Sequence, residues 1–235
     1  MLVRAVTAAA FGTNCYLLAP AAGEECLIVD PGIGVEGAVA ELLREHRWRP
    51  AAVLLTHGHL DHVYAVTPVC GGTLAAYVHA DDAYRLKDPY AQLDPALLAV
   101  IEQQFGVRRR WREPERLVHL ADGQRLELAG LGLDVRHAPG HTEGSVIFTL
   151  DTEPEGIGAE VDRTALTGDV LFAGSIGRTD LPGGDPGAMQ RSLREVVLPM
   201  PDSTLVLPGH GPATTMARER RTNPFLTGLA PSPGR

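Results

Sequence analysis

His57-Gly58-His59-Leu60-Asp61-His62 puts four metal-ligating side chains within six residues. The apolar run Ala51 to Leu55 precedes it and reads as a buried strand. The ligands therefore fall where a strand ends and a loop begins, a rigid place for chemistry. In extended backbone, residues two apart point to the same side, so His57 and His59 can grip one ion. Asp61 and His62 follow the turn and can face a second ion. The plain alternative is a solvated His-rich loop, and the strand context weighs against it.

More ligands follow downstream. Pro139-Gly140-His141-Thr142 comes after the strand-like run 131–137, Thr167-Gly168-Asp169 after Ala165-Leu166, and Leu207-Pro208-Gly209-His210-Gly211 after the run 204–207. Each stands beside a glycine, which lets the backbone turn sharply and approach an ion. Singly, such residues are more often turn or cap residues. Together with the first motif they make five His and two Asp, a set that suits two divalent ions sharing one carboxylate.

HGHLDH, PGHT, TGD and PGHG, in this order, resemble the metallo-β-lactamase superfamily over about residues 2–225. Thr13-Asn14-Cys15-Tyr16 and Val29-Asp30-Pro31-Gly32 fit its opening strands. The stretch Gly168 to Asp180 and the run Arg221-Thr222-Asn223-Pro224-Phe225 look like the small glyoxalase II-like hydrolases. The resemblance implies an α/β fold, a four-layer αββα sandwich. It also implies one ion on His57, His59 and His141, another on Asp61, His62 and His210, and Asp169 bridging them. Zinc is the expected ion, with iron and manganese as alternatives. Asp30 matches the family's aspartate that orients a ligand histidine through its other ring nitrogen. An Asp-Pro-Gly turn is the competing reading, and the two are compatible.

Arg178 stands where glyoxalase II enzymes carry a basic residue for the carboxylate of glutathione. Those enzymes have Lys and a nearby Tyr where this chain has Arg178-Thr179-Asp180. An ion pair with Asp180 or Asp185 is the other reading of Arg178. The fuller enzymes complete the glutathione site with a C-terminal helical domain, and only 25 residues follow His210 here. The expected cleft is therefore open, with the thiol largely in solvent.

The elements that must position these residues read as mixed α and β. Strand-like runs lie at 2–9, 13–19, 26–30, 51–55, 73–79, 124–129, 132–138, 145–150, 164–167 and 204–207. Helical patterns fit 35–47, 62–69, 94–104, 186–198 and 212–220. Residues 84–116 read as an insertion over a sheet edge that could wall the active site or simply pack. Residues 152–162 read as an acidic hairpin loop. One domain is expected over 1–226, with a flexible tail at 227–235.

A chain of 235 residues can bury one large core. No apolar run approaches the ~18 residues of a membrane span, and Met1 to Phe11 reads as strand rather than signal peptide. The three cysteines are an odd number without paired spacing, which points to a reducing, cytoplasmic compartment. Cys15, Cys26 and Cys70 read as buried structural residues. The net charge of −8 weighs against nucleic-acid binding. Arg108-Arg109-Arg110, with Trp111 and Arg112, is the one basic cluster in the sequence and reads as solvated surface.

The expected reaction is hydrolysis by a metal-bound hydroxide, with Asp61 and Asp169 as the carboxylates that serve it. No serine nucleophile is needed, and Ser145 reads as a strand-start hydroxyl. A thiolate leaves with little acid help, so a 2-hydroxyacyl thioester is the expected small-molecule partner. Nucleic acid and membrane are not expected partners, and the oligomeric state is open. A mononuclear iron persulfide dioxygenase on His57, His141 and Asp169 is the main alternative. Pro208-Gly209-His210-Gly211 favours the hydrolase over it. A non-enzymatic metal-binding module is a third reading, against which the full ligand set argues.

Overall fold

The structure, a computed structural model, describes residues 1–105, 111–156 and 161–229. In the first sheet, β1 (Leu2–Thr7), β2 (Asn14–Ala19) and β3 (Glu25–Val29) pair antiparallel. β4 (Arg49–Leu54), β5 (Ala75–His79) and β6 (Leu117–Leu120) then add in parallel, in sequence order. The second sheet runs β12 (Thr214–Thr215), β11 (Thr204–Pro208), β10 (Arg163–Gly168), β9 (Val146–Leu150), β8 (Leu131–His137) and β7 (Arg125–Leu128). Its β10–β11 pair is parallel and the rest are antiparallel.

The central strands are apolar on both faces, as strands covered on both sides must be. Leu18, Leu27, Val29 and Leu54 meet Leu133, Val135, Phe148 and Leu166 between the sheets. Truncating the fully buried Phe148 to Ala would cost about 3–5 kcal/mol. The alternate residues Leu17, Ile28 and Val53 face outward, where α1 (Glu36–Glu45) and α3 (Val66–Cys70) supply Val39 and Val66. On the far side Ile147, Ala165 and Val206 pack against Met189 of α5 (Pro186–Ser192), Met216 of α6 (Met216–Thr222) and Leu226 of α7 (Pro224–Thr227). Helix, sheet, sheet, helix is the expected αββα sandwich.

The ten expected strands are present, each end within two residues of its expected place. β6 and β12 are additional, and both are too short for an alternating pattern to show. β12 corrects the helix expected over 212–220. Thr214 and Thr215 pair with Val206 and Leu205, and the Thr215 hydroxyl accepts from Arg218 N, so the helix starts at Met216. The helix expected over 62–69 is two, α2 (Leu60–Val63) and α3, because Ala65 N donates to Pro31 O at 3.0 Å rather than continuing one ladder. A 3₁₀ helix (Ala80–Leu86) precedes α4 (Pro95–Phe105) in the 84–116 segment.

The basic cluster Arg108-Arg109-Arg110 lies outside the described residues, as do 157–160 of the loop joining the antiparallel β9 and β10. Of the expected tail, Thr227 belongs to α7 and Leu229 packs against the core, while 230–235 lie outside the described residues. No helix among the described residues is long and apolar enough to cross a membrane.

Candidate metal centre

The seven candidate ligands all follow the C-terminal ends of strands. His57 to His62 follow β4, His141 follows β8, Asp169 follows β10 and His210 follows β11. The structure brings them together in two groups. His57 Nε2 lies 3.1 Å from His59 Nδ1, which lies 2.9 Å from His141 Nε2. His62 Nε2 lies 3.2 Å from His210 Nε2, and Asp61 Oδ2 is 3.5 and 3.4 Å from them. Asp169 sits between the groups. Its Oδ1 is 3.3 Å from His62 Nε2, and its Oδ2 is 3.4 Å from both His141 Nε2 and His210 Nε2.

Hydrogen bonds behind the rings set which nitrogen faces inward. The Thr56 hydroxyl donates to Asp30 Oδ2 at 2.6 Å, so it accepts from His57 Nδ1 at 3.1 Å. His62 Nδ1 donates to Asp30 Oδ2 at 3.0 Å, His141 Nδ1 to Arg178 O at 2.8 Å, and His210 Nδ1 to Phe11 O at 3.1 Å. All four rings thus turn Nε2 toward the centre, the second-partner arrangement that metal-ligating histidines use. Burial, and then the neighbouring rings, push His57 well below the usual imidazole range. Burial likewise lowers His141, and takes His59 down to about 3. The three rings favour the neutral form, and His57 and His141 turn their Nε2 lone pairs toward His59 Nδ1.

Such a donor set fits divalent cations. His59 Nδ1 can donate to only one of the two Nε2 lone pairs that face it, which leaves the other open for a cation. Asp169 Oδ1 is buried without any hydrogen-bond partner, a costly state for a carboxylate oxygen that a cation would relieve. The surroundings leave room for nothing larger than hydrogen: a Cβ on Gly209 would strike Asp169 Oδ1, and one on Gly177 would strike the Asp169 carbonyl oxygen.

Asp30 is in the left-handed region at φ 50°, which Asp tolerates better than most residues. Besides His62 and the Thr56 hydroxyl it holds Thr56 N at 2.8 Å, contacts that fit the orienting reading, while residues 30–32 form no turn. Four supporting residues lie outside the ligand motifs, three of them in the Thr13–Tyr16 stretch. The Thr13 hydroxyl donates to Asp61 Oδ2 at 2.8 Å. Asn14 Nδ2 and Tyr16 Oη donate to Pro208 O at 3.1 and 2.8 Å, fixing the loop that carries His210. Asp82, fully buried, accepts from Gly58 N at 2.8 Å, the Thr142 hydroxyl at 2.7 Å, Gly144 N at 3.0 Å and Arg85 Nε at 3.2 Å. It thereby locks the His57–His59 loop to the His141 loop. No sequence signal marks Asp82, whereas Thr56 and Thr142 directly adjoin motif histidines.

A cavity of about 470 Å³ opens onto His59, Asp61, His141, Asp169 and His210. Leu93, Leu97 and Ile101 form one side, so the part of the 84–116 segment up to Ile101 walls the site. Arg178 also lines it, with its guanidinium bound to Asp180 through Nε and Nη2 at 2.7 and 2.8 Å.

A paired His/Asp centre at the strand ends of an αββα sandwich defines a metal-dependent hydrolase. Residues 8–210 match the model of the metallo-beta-lactamase superfamily, and the chain belongs to that superfamily. It is 41% identical over 232 residues to an uncharacterized protein of Mycobacterium tuberculosis, covering 98% of this chain and all of that one. It is 32% identical to the hydroxyacylglutathione hydrolase GloC of Haemophilus influenzae, covering 96% of this chain and 98% of that one. Among solved structures, TTHA1623 in a di-iron-bound form is similar at 37% identity and TM-score 0.73, covering 95% of this chain and all of that one. The BLEG-1 B3 metallo-beta-lactamase is similar at 34% identity and TM-score 0.73, covering 97% and 100%.

Proposed function

We propose that the protein is a dinuclear thioester hydrolase of the glyoxalase II type, acting on a 2-hydroxyacyl thioester. The observation that carries this reading is Asp169, a buried carboxylate facing both histidine groups, whose Oδ1 lies 3.3 Å from His62 Nε2 yet makes no hydrogen bond. His57, His59 and His141 would hold one ion, Asp61, His62 and His210 the other, with Asp169 shared. Zinc is the ion proposed, and the di-iron relative keeps iron as the alternative beside manganese. Bound there, the ions would supply a Lewis acid for the carbonyl and a water acidified to near neutrality.

The chain's own residues do the rest. Asp61 is held down to about 2 although burial opposes ionisation, because His62 and His210 outweigh it. It is thus a carboxylate at any working pH. Thr13 fixes one of its oxygens, so it can orient the attacking water as an acceptor. A leaving thiolate needs little protonation, which suits a site with no dedicated acid in its motifs. Arg178 would exchange Asp180 for a carboxylate of the thiol. The likeness to GloC supports the substrate class. Three free, buried cysteines support a reducing cytoplasm as the compartment.

The test is elemental analysis joined to a substrate panel. Two ions per chain, cleavage of S-D-lactoylglutathione or a related 2-hydroxyacyl thioester, and no turnover of phosphodiesters are expected. Because one relative is a B3 metallo-beta-lactamase, β-lactams belong in the panel, and comparable turnover of them would sink the thioester reading. A single tightly bound iron with oxygen uptake on glutathione persulfide would replace it with the dioxygenase.

A further inference from the structure

The cavity beside the centre differs from a glutathione site in its chemistry. Apart from the ligand side of the cavity, its polar lining groups are Arg85, Gln92, Asp94 and Arg178, and each is already engaged. Arg85 binds Asp82, Gln92, Glu143 and Pro182 O. Gln92 accepts from Arg85, and Asp94 caps α4 through Ala96 N and Leu97 N. Arg178 is chelated by Asp180 at the exposed rim. What remains facing the space is hydrocarbon: Phe11, Leu93, Leu97, Ile101, Phe172 and Leu181.

Two of these side chains are uncovered in the free protein. Phe11 is 46% exposed and Leu97 42% exposed. Phe11 is also held at φ 60°, a strained conformation for an aromatic residue, and its carbonyl is tied to His210 Nδ1. The backbone that carries the ring is therefore fixed relative to the centre. A cavity of about 470 Å³ is the size of a small-molecule site, and a three-carbon lactoyl group would fill little of it.

We propose that this cavity is an acyl subsite, and that the preferred thioester carries a hydrocarbon acyl group, aliphatic or aromatic, well beyond lactoyl in size. The inference rests on the thioester reading above and deepens it. The thiol end lies toward Arg178 and solvent, the acyl end between Phe11 and α4.

The test uses the metal-loaded protein and glutathione thioesters from acetyl to octanoyl, with and without a 2-hydroxyl. The ratio kcat/KM rises by about two- to fourfold per methylene until the cavity is full. Leu97→Ser, at a half-exposed position that tolerates polarity, flattens the slope. Calorimetry gives a second readout: octanoate binds more tightly than lactate, with a negative heat-capacity change that Leu97→Ser reduces. Equal kcat/KM for lactoyl and octanoyl substrates, or a slope indifferent to Leu97→Ser, overturns the subsite. A rise seen when the thiol rather than the acyl group is lengthened overturns the acyl assignment. Octanoate binding that depends on Leu97, in a protein that cleaves no thioester, upholds the subsite and removes the hydrolase reading instead.

Discussion

The two halves of the centre use the same residue type in opposite electrostatic settings. His57, His59 and His141 have no carboxylate of their own, and burial holds all three below the usual imidazole range. His62 and His210 stand among carboxylates. Burial opposes their charge, yet Asp61 and Asp169 outweigh it, raising His210 to about 9 and His62 well above the ordinary value. One pocket offers neutral lone pairs. The other is an anionic nest whose carboxylates favour positive charge, a proton or a cation, at its rings. Asp169 is therefore unlike the other ligands, because it brings negative charge to the histidine pocket.

That contrast can be broken most directly at the bridge. Asp169→Ala is expected to lose both ions and to cost activity on the order of 10³-fold or more, with a lowered Tm. His62→Ala should cost less and retain one ion. Equal losses, with full metal content in Asp169→Ala by elemental analysis, would show that the pockets are independent.

Next in size are two supporting carboxylates, Asp30, which holds His62 directly and reaches His57 only through Thr56, and Asp82, which ties the histidine pocket alone. Asp30→Asn should weaken the ion at His62 and lower activity by about 10- to 100-fold. Asp82→Asn should loosen the histidine pocket instead, since Asp82 joins its two loops. Arg85 keeps Glu143 but loses its buried carboxylate, so stability should also fall, by about 1–3 kcal/mol in a denaturant titration. Metal titrations that show both variants weakening the same ion would erase the distinction.

Arg178→Ala is a finer probe. The backbone carbonyl that orients His141 survives, so metal content should hold while KM for a glutathione thioester rises about fivefold and kcat changes less. An unchanged KM would remove the anchor role. The smallest expected effect is at the thiols. Burial lifts Cys70 to about 11, Cys26 to about 12 and Cys15 higher still. None should react with a thiol reagent at pH 8 until the protein unfolds, and native treatment should leave metal content intact.

The seven candidate ligands were legible because strand, glycine and ligand stand adjacent in the chain, and Asp30 through the resemblance. The other supports were not. Asp82 reaches Gly58 across 24 residues and Thr142 across 60, while Tyr16 reaches Pro208 across 192. Such contacts exist only after the sheets have closed, and nothing local announces them. The same holds for β12, where pairing with β11 overrides the helical pattern that begins at Pro212. Arg178 was legible as a basic residue at a site, but its grip on Asp180 was one of two readings that sequence could not rank.

The centre draws His57, His59, Asp61 and His62 from the first sheet, and His141, Asp169 and His210 from the second. During synthesis the first four ligands emerge together, yet the nearest complete trio waits for His141 and the full set for His210. A growing chain can finish its first sheet and still present only half a cage. The complete cage therefore exists only once both sheets are made and packed against each other.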